Sequence, residues 1–215
     1  MGKVNIRLAT REEFSKVAEV FRDAFDYEII PIFGDALSPE LHDDIYQFLF
    51  IIIDGQVVVS DVDGEIVGYV MAPQNISKIP RGFIVNGYVF KLIWRWMKGR
   101  YGKLLRSIGI KNIGRAIKDK VGFLRPQRKE LNVSARILSI GVKKRFRGRG
   151  FGQKILNYAL ENLRMLGSEK VRLEVRPWNS SARHVYEKAG FEYVGQMSDS
   201  QGEWLVMVKD MGGGV

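Results

Sequence analysis

Residues 147–152 read Arg147-Gly148-Arg149-Gly150-Phe151-Gly152, a glycine-rich run with basic side chains. The stretch before it, residues 136–142, is mostly apolar and predicts a strand. After the run, apolar side chains recur at the spacing of one helix face, at Ile155, Leu156, Ala159, Leu160 and Leu163. The sequence therefore predicts a strand, a tight glycine-rich turn and a helix in direct succession.

A turn of this kind is suited to bind an anion. At a helix N-terminus the backbone N–H groups lack partners and the helix dipole favours negative charge. Glycine lets a phosphate group approach the main chain, and the arginines beside it add positive charge. The run contains neither the Gly-Lys-Ser/Thr of a triphosphate loop nor the Gly-x-Gly-x-x-Gly of a dinucleotide site. Taken alone, it is also consistent with a plain helix start that has a solvated basic rim.

The residues that follow continue the alternation of strands and helices. Residues 171–175 predict a strand, and Asn179 is a suitable N-cap for a helix that runs through Lys188 and ends at Gly190. Two last strands are predicted at residues 191–195 and 204–208, followed by a flexible tail at residues 211–215.

The first 73 residues also predict alternating elements. Residues 4–8 alternate as a half-buried strand, and Thr10 with Glu13 forms a capping-box signature. The helix that it opens carries apolar side chains on one face, at Phe14, Val17, Ala18 and Phe21. Ser38 before Pro39 predicts a second helix start. Residues 57–62 and 65–71 predict two strands joined by a tight Asp63-Gly64 turn.

One segment makes the chain basic. The net charge is +10, and residues 78–130 alone hold 15 basic and two acidic side chains. Within this basic segment, Lys91, Arg95 and Lys98 predict a positive stripe on an amphipathic helix that also carries Trp94 and Trp96. A second amphipathic stretch follows, with Ile110, Ile113, Ile117 and Val121 opposite Lys111, Arg115 and Lys118. Three interpretations stay open: a solvated face, a lid that attracts acidic substrates, and a surface for an anionic membrane or nucleic acid.

Composition excludes several classes of function. With 215 residues, 46% of them hydrophobic and 27% charged, the chain fits one folded domain with an added segment. It has no cysteine and two histidines, which excludes a disulfide framework, a cysteine nucleophile and a three-histidine metal site, so we expect no metal. The N-terminus lacks the apolar core of a signal peptide, and no apolar run reaches the ~20 residues of a spanning helix. We therefore expect a cytoplasmic protein.

In their order along the chain, these motifs resemble those of the GNAT superfamily of N-acetyltransferases. Leu138-Ser139-Ile140-Gly141-Val142 precedes Arg147-x-x-Gly150-x-Gly152, and Leu173-Glu174-Val175 and Asn179-x-x-Ala182-x-x-x-Tyr186-Glu187-Lys188-x-Gly190-Phe191 follow it. The resemblance covers residues 134–210 in motifs and residues 3–73 in element order only. It implies an α/β fold, a mixed twisted β-sheet with flanking helices and splayed central parallel strands. Residues 1–210 would form this single domain, interrupted by an insertion at residues 78–130.

The resemblance also implies acetyl-CoA as co-substrate, lying in a V-shaped gap between the strands at residues 136–142 and 171–175. Backbone groups of Ile140 and Val142 would pair with the pantetheine arm and polarise the thioester carbonyl. The pyrophosphate would lie on the glycine-rich turn, and Asn179 would contact the arm from the other side. The implied coenzyme-binding residues are Ile140, Gly141, Val142, Arg147, Gly148, Arg149, Gly150, Phe151, Gly152, Gln153, Asn179 and Ala182.

Acetyl transfer to an amine needs a deprotonated nucleophile and a proton for the departing thiolate. Tyr186 is the candidate acid, since it stands where the family commonly places a tyrosine near the coenzyme sulfur. A tyrosine on an amphipathic helix is also compatible with a packed core residue. Glu174 is the candidate base, because the strand at residues 136–142 offers no carboxylate. Its alternation with Arg172 and Arg176 is equally typical of a solvent-exposed, ion-paired surface.

The sequence thus predicts an acetyl-CoA-dependent N-acetyltransferase that acts on a primary amine by direct transfer in a ternary complex. The acceptor could be a protein N-terminus, a lysine or a small amine. An acidic acceptor or one carried by a protein would fit the basic segment. The alternative is a non-catalytic module that senses acyl-CoA or binds nucleic acid through the basic segment.

Overall fold

The fold is described from a computed structural model of the chain. It describes residues 3–33, 56–77, 133–199 and 202–212, together with positions 44, 79, 87, 90, 91, 94, 95 and 98. The helix start predicted at Ser38 and the second amphipathic stretch, residues 110–121, lie outside the described residues. So do residues 213–215 of the predicted tail.

Three helices and eight strands are described with both of their ends. The elements are β1 Val4–Leu8, α1 Phe14–Phe33, β2 Val57–Val62, β3 Glu65–Met71, β4 Ala135–Ile137, β5 Ser139–Val142, α2 Phe151–Met165, β6 Lys170–Val175, α3 Ser180–Lys188, β7 Glu192–Asp199 and β8 Gly202–Asp210. Short 3-10 turns at Arg11–Glu13 and Lys144–Phe146 precede α1 and the glycine-rich run. The predicted order of elements is confirmed wherever the structure describes it.

The strands form two four-stranded sheets, in the orders β1-β2-β3-β5 and β4-β6-β8-β7. Strands β4 and β6 pair in parallel, whereas the other described pairs are antiparallel. A parallel pair needs a crossover, and α2 supplies it between β5 and β6. The predicted mixed α/β architecture is confirmed.

The strand predicted at residues 136–142 is not continuous, and this corrects the sequence analysis. It divides at Leu138 into β4, which pairs with β6, and β5, which pairs with β3. The last pair between β4 and β6 joins Ile137 to Leu173. Beyond that point β5 stays with the first sheet and β6 with the second. The predicted splay of the central parallel strands therefore opens at Leu138.

The local signals in the sequence explain where the helices begin and which faces turn inward. Ahead of α1, the Glu13 carboxylate accepts a hydrogen bond from the Thr10 N–H at 2.9 Å, as the capping box predicts. At α3, Asn179 Oδ1 accepts from the Ala182 N–H at 3.1 Å. The predicted apolar faces are both buried, with Phe14, Val17, Ala18 and Phe21 on α1 and Ile155, Leu156, Ala159, Leu160 and Leu163 on α2.

Two hydrophobic clusters hold the sheets to the helices. One joins α2 and Tyr186 of α3 to the inward faces of β4 and β6, including Ile137, Leu173 and Val175. The other lies between α1 and the first sheet and includes Val17, Tyr69 and Met71. The first cluster also includes Val58 and Val70 of the first sheet, so it spans both sheets, whereas the second cluster lies on the other face of the first sheet.

Candidate active site

Strand β5 presents an open edge of main-chain groups to the gap. The Lys143 N–H donates to the Val67 carbonyl of β3 at 2.8 Å. Because backbone groups alternate in direction along an antiparallel strand, Gly141 also faces β3, whereas Ile140 and Val142 face away from it. The Val142 carbonyl accordingly accepts from Arg147 Nε at 3.2 Å, outside the sheet. The two residues predicted to polarise a thioester therefore point their backbone groups into the gap.

The glycine-rich run forms an open cradle at the end of β5. Gly148 and Gly150 have φ angles of 73° and 77°, in the left-handed region that favours glycine. An added Cβ at either position would meet no atom within 4 Å, so the space above the turn is clear. Helix α2 starts at Phe151, and the backbone amides of Phe151, Gly152 and Gln153 belong to its unpaired first turn. This is the geometry of an anion site at a helix N-terminus.

The basic side chains around the cradle divide into two kinds. Arg147 is held by main-chain carbonyls, since its Nη2 donates to Ala24 at 2.8 Å and its Nε to Val142. Lys143 and Arg145 both bind Glu65, and their hydrogen bonds lower the pKa of that carboxyl. By contrast, Arg149 is exposed, with its guanidinium 5.4 Å from the Phe146 ring centre. The structure therefore gives Arg147 a bracing contact between α1 and β5, whereas Arg149 projects from the turn.

Asn179 and Ala182 lie across the gap, at the start of α3. The side-chain oxygen of Asn179 caps the helix by accepting from Ala182. Ala182 is half-buried and packs against the first hydrophobic cluster. The cap fixes the Asn179 side chain and uses its oxygen, which leaves its NH₂ as the group that could donate to a ligand.

Tyr186 is buried on α3, with 6% of its surface exposed. Its ring packs edge-on against Phe191, with 6.1 Å between the ring centres. Burial raises the pKa of the Tyr186 hydroxyl above its ordinary value, so the group stays protonated at alkaline pH as well as at neutral pH. The packed position and the acid role, which the sequence left as alternatives, are compatible.

Glu174 is not on the surface, which overturns the solvent-exposed alternative. Its side chain is 4% exposed and lies 2.6 Å from Arg172 Nε and 3.4 Å from Arg136 Nη1. Both arginine side chains are also buried. Burial raises the pKa of the Glu174 carboxyl, and the two positive charges oppose that shift. The sequence analysis missed Arg136, although a charged residue in a mostly apolar strand could have indicated a buried ion pair.

Tyr186 and Glu174 lie on opposite faces of the second sheet. Leu173 and Val175 share the first hydrophobic cluster with Tyr186. Successive side chains of a strand point to opposite faces, so Glu174 projects away from that cluster, on the side of its β8 partner Val206. A group bound in the gap would therefore meet the tyrosine on one side and the carboxylate on the other.

The basic segment is described at single positions only. Backbone bonds from Lys91 to Gly87 and from Lys98 to Trp94 follow a helical pattern. Arg95 forms an ion pair with Asp44, whose side chain is 5% exposed, so Arg95 does not belong to a free positive stripe. Phe90 and Trp94 are 80% and 57% exposed, and Lys98 Nζ lies 4.9 Å from the Trp94 ring centre.

Metal binding and membrane insertion each require a recognisable feature, namely a cluster of ligating side chains or a long apolar helix. Within the described ranges, no three His, Asp or Glu side chains are arranged to hold a metal ion. None of the helices described here is long and apolar enough to cross a membrane.

Residues 100–191 match the model of the acetyltransferase (GNAT) family. The chain carries a GNAT acetyltransferase domain. The match begins within the basic segment and ends at Phe191, so it includes the glycine-rich turn, β6 and α3. No curated protein matches the chain in sequence.

Solved structures of acetyltransferases share the fold. An N-acetyltransferase from Staphylococcus aureus Mu50 superposes with a TM-score of 0.63 at 16% identity, covering 95% of this chain and 99% of that one. The ribosomal-protein-S18-alanine N-acetyltransferase from Escherichia coli gives 0.57 at 12% identity, over 99% and 97%. The yncA protein of Salmonella typhimurium, solved with its cofactor acetyl-CoA, gives 0.55 at 13% identity, over 97% and 94%. At these identities the likeness establishes the fold of the GNAT domain.

Proposed function

We propose that this chain transfers the acetyl group of acetyl-CoA directly to a primary amine within a ternary complex. The observation that carries the proposal is the gap beside β5, which ends at the glycine-rich cradle and lies between Tyr186 and Glu174. A main-chain edge, an anion site and two titratable groups on opposite faces are the parts that thioester transfer requires.

In this proposal the coenzyme is held mainly by main-chain groups. The N–H groups at the start of α2 bind the pyrophosphate, and Arg149 adds a charge-assisted contact from the exposed side. The pantetheine arm pairs with the backbone of Ile140 and Val142, and the Asn179 NH₂ donates to it from across the gap. The backbone N–H facing the thioester oxygen stabilises the negative charge that develops there.

The transfer forms an amide C–N bond and breaks the thioester C–S bond. Glu174 accepts a proton from the incoming ammonium through an ordered water, which frees the nitrogen lone pair for attack on the carbonyl carbon. Tyr186 donates a proton to the departing sulfur, and the proton lost by the attacking nitrogen replaces it. The chain has no cysteine, so an acetyl-cysteine intermediate is excluded and the acetyl group passes directly between the two substrates.

The acceptor enters on the face that carries Glu174. Around Glu174 this face carries three arginines, Arg136, Arg172 and Arg176. Arg176 is held 3.7 Å from the Trp204 ring centre and is partly exposed, so it can meet an acidic group of the acceptor. The E. coli neighbour acts on a ribosomal protein, which makes a protein N-terminus the first acceptor to test.

The basic segment and the location of the protein complete the proposal. For the basic segment, residues 78–130, we propose a lid over the acceptor side as the role to test, against a solvated face and against a surface for an anionic membrane or nucleic acid. We place the reaction in the cytoplasm, as the sequence predicts.

A thiol-release assay with acetyl-CoA tests the function directly. The purified chain is incubated with peptides bearing free N-termini, peptides with acetylated N-termini and an internal lysine, and small amines. Release of CoA that depends on one amine class, with the acetylated product identified by mass spectrometry, supports the proposal. Tight acetyl-CoA binding without release for any class would instead favour the acyl-CoA-sensing module, and a salt-sensitive gel shift would favour nucleic-acid binding.

A further inference from the structure

Tyr69 reaches along β5 from the neighbouring strand. It is fully buried on β3, and its hydroxyl is hydrogen-bonded to Ser139 Oγ at 2.5 Å. Its cross-strand partner is Gly141, two residues further along β5. The tyrosine ring therefore crosses the face of Gly141 and ends at Ser139, on the side of β5 that packs against α1.

Gly141 makes this arrangement possible. A Cβ on Gly141 would lie 2.9 Å from Tyr69 Cε1 and 3.1 Å from the Ala24 Cβ of α1. Any larger residue would therefore push the ring or the helix away from the strand. The sequence analysis placed Gly141 among the coenzyme-binding residues, and the structure shows a packing requirement at this position.

Ser139 lies at the irregular point of the divided strand. The Leu138 N–H donates to the Met71 carbonyl at 2.9 Å, and Ser139 is also aligned with Met71. Two residues thus oppose one, which is the pattern of a β-bulge. A bulge re-aims the strand that follows it, so its geometry sets the direction of the backbone groups of Ile140 and Val142.

Strand β5 has a described strand partner on one side only, namely β3. On its other side the main chain must keep its position without a neighbouring ladder until the coenzyme arrives. A side-chain hydrogen bond at the bulge supplies an additional constraint, since both hydroxyls would lose a partner if the bulge shifted.

We propose that Tyr69 is a positioning residue, which fixes the bulge through Ser139 and thereby aims the Ile140 and Val142 backbone groups at the thioester. This inference rests on the proposed function, because those groups matter only if acetyl-CoA lies in the gap. Tyr69 contacts none of the reacting atoms in the proposed reaction, so its effect passes through the main chain.

The test is the carbonyl stretching frequency of bound acetyl-CoA, labelled with ¹³C at the acetyl carbonyl and measured by difference infrared spectroscopy. Hydrogen bonds to the carbonyl lower this frequency, so it reports directly on the alignment of the polarising N–H. The variants are Tyr69→Phe and Ser139→Ala, with Ser139→Thr to restore the hydroxyl. Tyr158→Phe, on the exposed surface of α2, is the matched control.

We expect the parent chain and Tyr158→Phe to lower the frequency equally relative to free acetyl-CoA. Tyr69→Phe and Ser139→Ala should move it back toward the free value by the same amount, without addition in the double variant, and Ser139→Thr should recover the shift. Turnover should fall about 10-fold to 100-fold, while the affinity for acetyl-CoA changes little.

The experiment distinguishes a failure of the positioning role of Tyr69 from a failure of the proposed function. If acetyl-CoA binds to folded Tyr69→Phe and Ser139→Ala with the frequency of the parent complex, the positioning role is wrong and the proposed function stands. If the parent chain does not bind acetyl-CoA, the proposed function and this inference both fail.

Discussion

The proposed coenzyme side and the proposed acceptor side of the gap are built in different ways. On the coenzyme side, the groups that would contact ligand belong to the main chain, at Ile140, Val142 and the first turn of α2. On the acceptor side they are side chains, above all Glu174 with Arg136 and Arg172. A main-chain site depends on backbone conformation, which glycines and strand pairing impose. A side-chain site depends on residues that meet only in the folded chain.

Tyr186, the proposed acid between these two sides, gives the largest expected effect. Tyr186→Phe removes one hydroxyl and keeps the ring that packs on Phe191, so the fold should survive. Loss of the proton donor should lower turnover by about 10²–10⁴-fold with a nearly unchanged Michaelis constant for acetyl-CoA. Steady-state kinetics over a pH series is the measurement. Because burial raises the pKa of this hydroxyl, the parent chain should show no loss of rate from Tyr186 ionisation near pH 10. A turnover equal to that of the parent would make Tyr186 a core residue only.

The cradle can be tested with glycines at the two ends of α2. Gly150 and Gly167 both have positive φ and open space where a Cβ would stand, but Gly167 lies beyond the opposite end of the helix. Gly150→Glu should weaken acetyl-CoA binding by about 100-fold, because a carboxylate enters the anion site. Gly167→Glu carries the same charge change and similar backbone strain, and should keep the parent affinity. Isothermal calorimetry measures the acetyl-CoA affinity of both variants. If Gly150→Glu binds acetyl-CoA as tightly as Gly167→Glu does, the pyrophosphate lies elsewhere.

Glu174 tests the acceptor side. Glu174→Gln should lower kcat/KM for the amine by about 10-fold to 100-fold and remove the acidic limb of its pH profile. The sign follows from the role: a base works when deprotonated, so the parent rate falls as pH drops through the pKa of Glu174. Burial raises that pKa, and the limb should therefore lie above the range of an exposed glutamate.

The control for the loss of one negative charge is Glu187→Gln, an exposed position on α3 that is ion-paired with Arg183. It should leave the pH profile unchanged. Glu174→Gln also leaves two buried arginines without their carboxylate, so thermal melting must accompany the kinetics. If a folded Glu174→Gln variant keeps the parent rate and acidic limb, Glu174 serves the ion-pair cluster and the base lies elsewhere.

We expect the smallest catalytic effect from substitutions in the basic segment. There Arg95 is ion-paired with Asp44, so its substitution should act differently from that of Lys91 and Lys98. Lys91→Ala/Lys98→Ala should raise the Michaelis constant for an acidic acceptor severalfold and flatten its salt dependence, if the segment acts as a lid. Arg95→Ala should instead lower the free energy of unfolding by about 1–3 kcal/mol, because it removes an ion-pair partner of the buried Asp44 carboxylate. Chemical denaturation and co-sedimentation with anionic vesicles complete the comparison. Loss of vesicle binding with unchanged kinetics would favour the membrane surface, and no change in either assay would leave a solvated face.

The sequence predicted the glycine-rich turn and the cap of α3, which form the proposed coenzyme side, because their signals are local. Gly148, Gly150 and Asn179 each act within one turn of the chain, so their effect can be predicted from neighbouring residues. The division at Leu138 could not be predicted in this way, since it depends on two different pairing partners, β3 and β6, that come from distant parts of the sequence.

The acceptor side required contacts over long sequence separations. Alternation along β6 placed Glu174 with Arg172 and Arg176 correctly on one face, but it could not show that this face is covered. Arg136 of β4, which joins this cluster, precedes Glu174 by 38 residues in the sequence. In the same way, the spacing of Arg95 predicts a place in a positive stripe, whereas its ion pair with Asp44 depends on a residue far away in the chain.

Residue-resolved hydrogen exchange, with and without acetyl-CoA, shows whether the coenzyme lies against the open edge of β5, on which the whole proposed reaction depends. We predict that acetyl-CoA slows exchange at the Ile140 and Val142 amides, which face the gap. The Gly141 and Lys143 amides face β3 and should exchange at the same rate in both states. Equal slowing along the whole strand, or slowing confined to Gly141 and Lys143, would contradict this placement of the coenzyme.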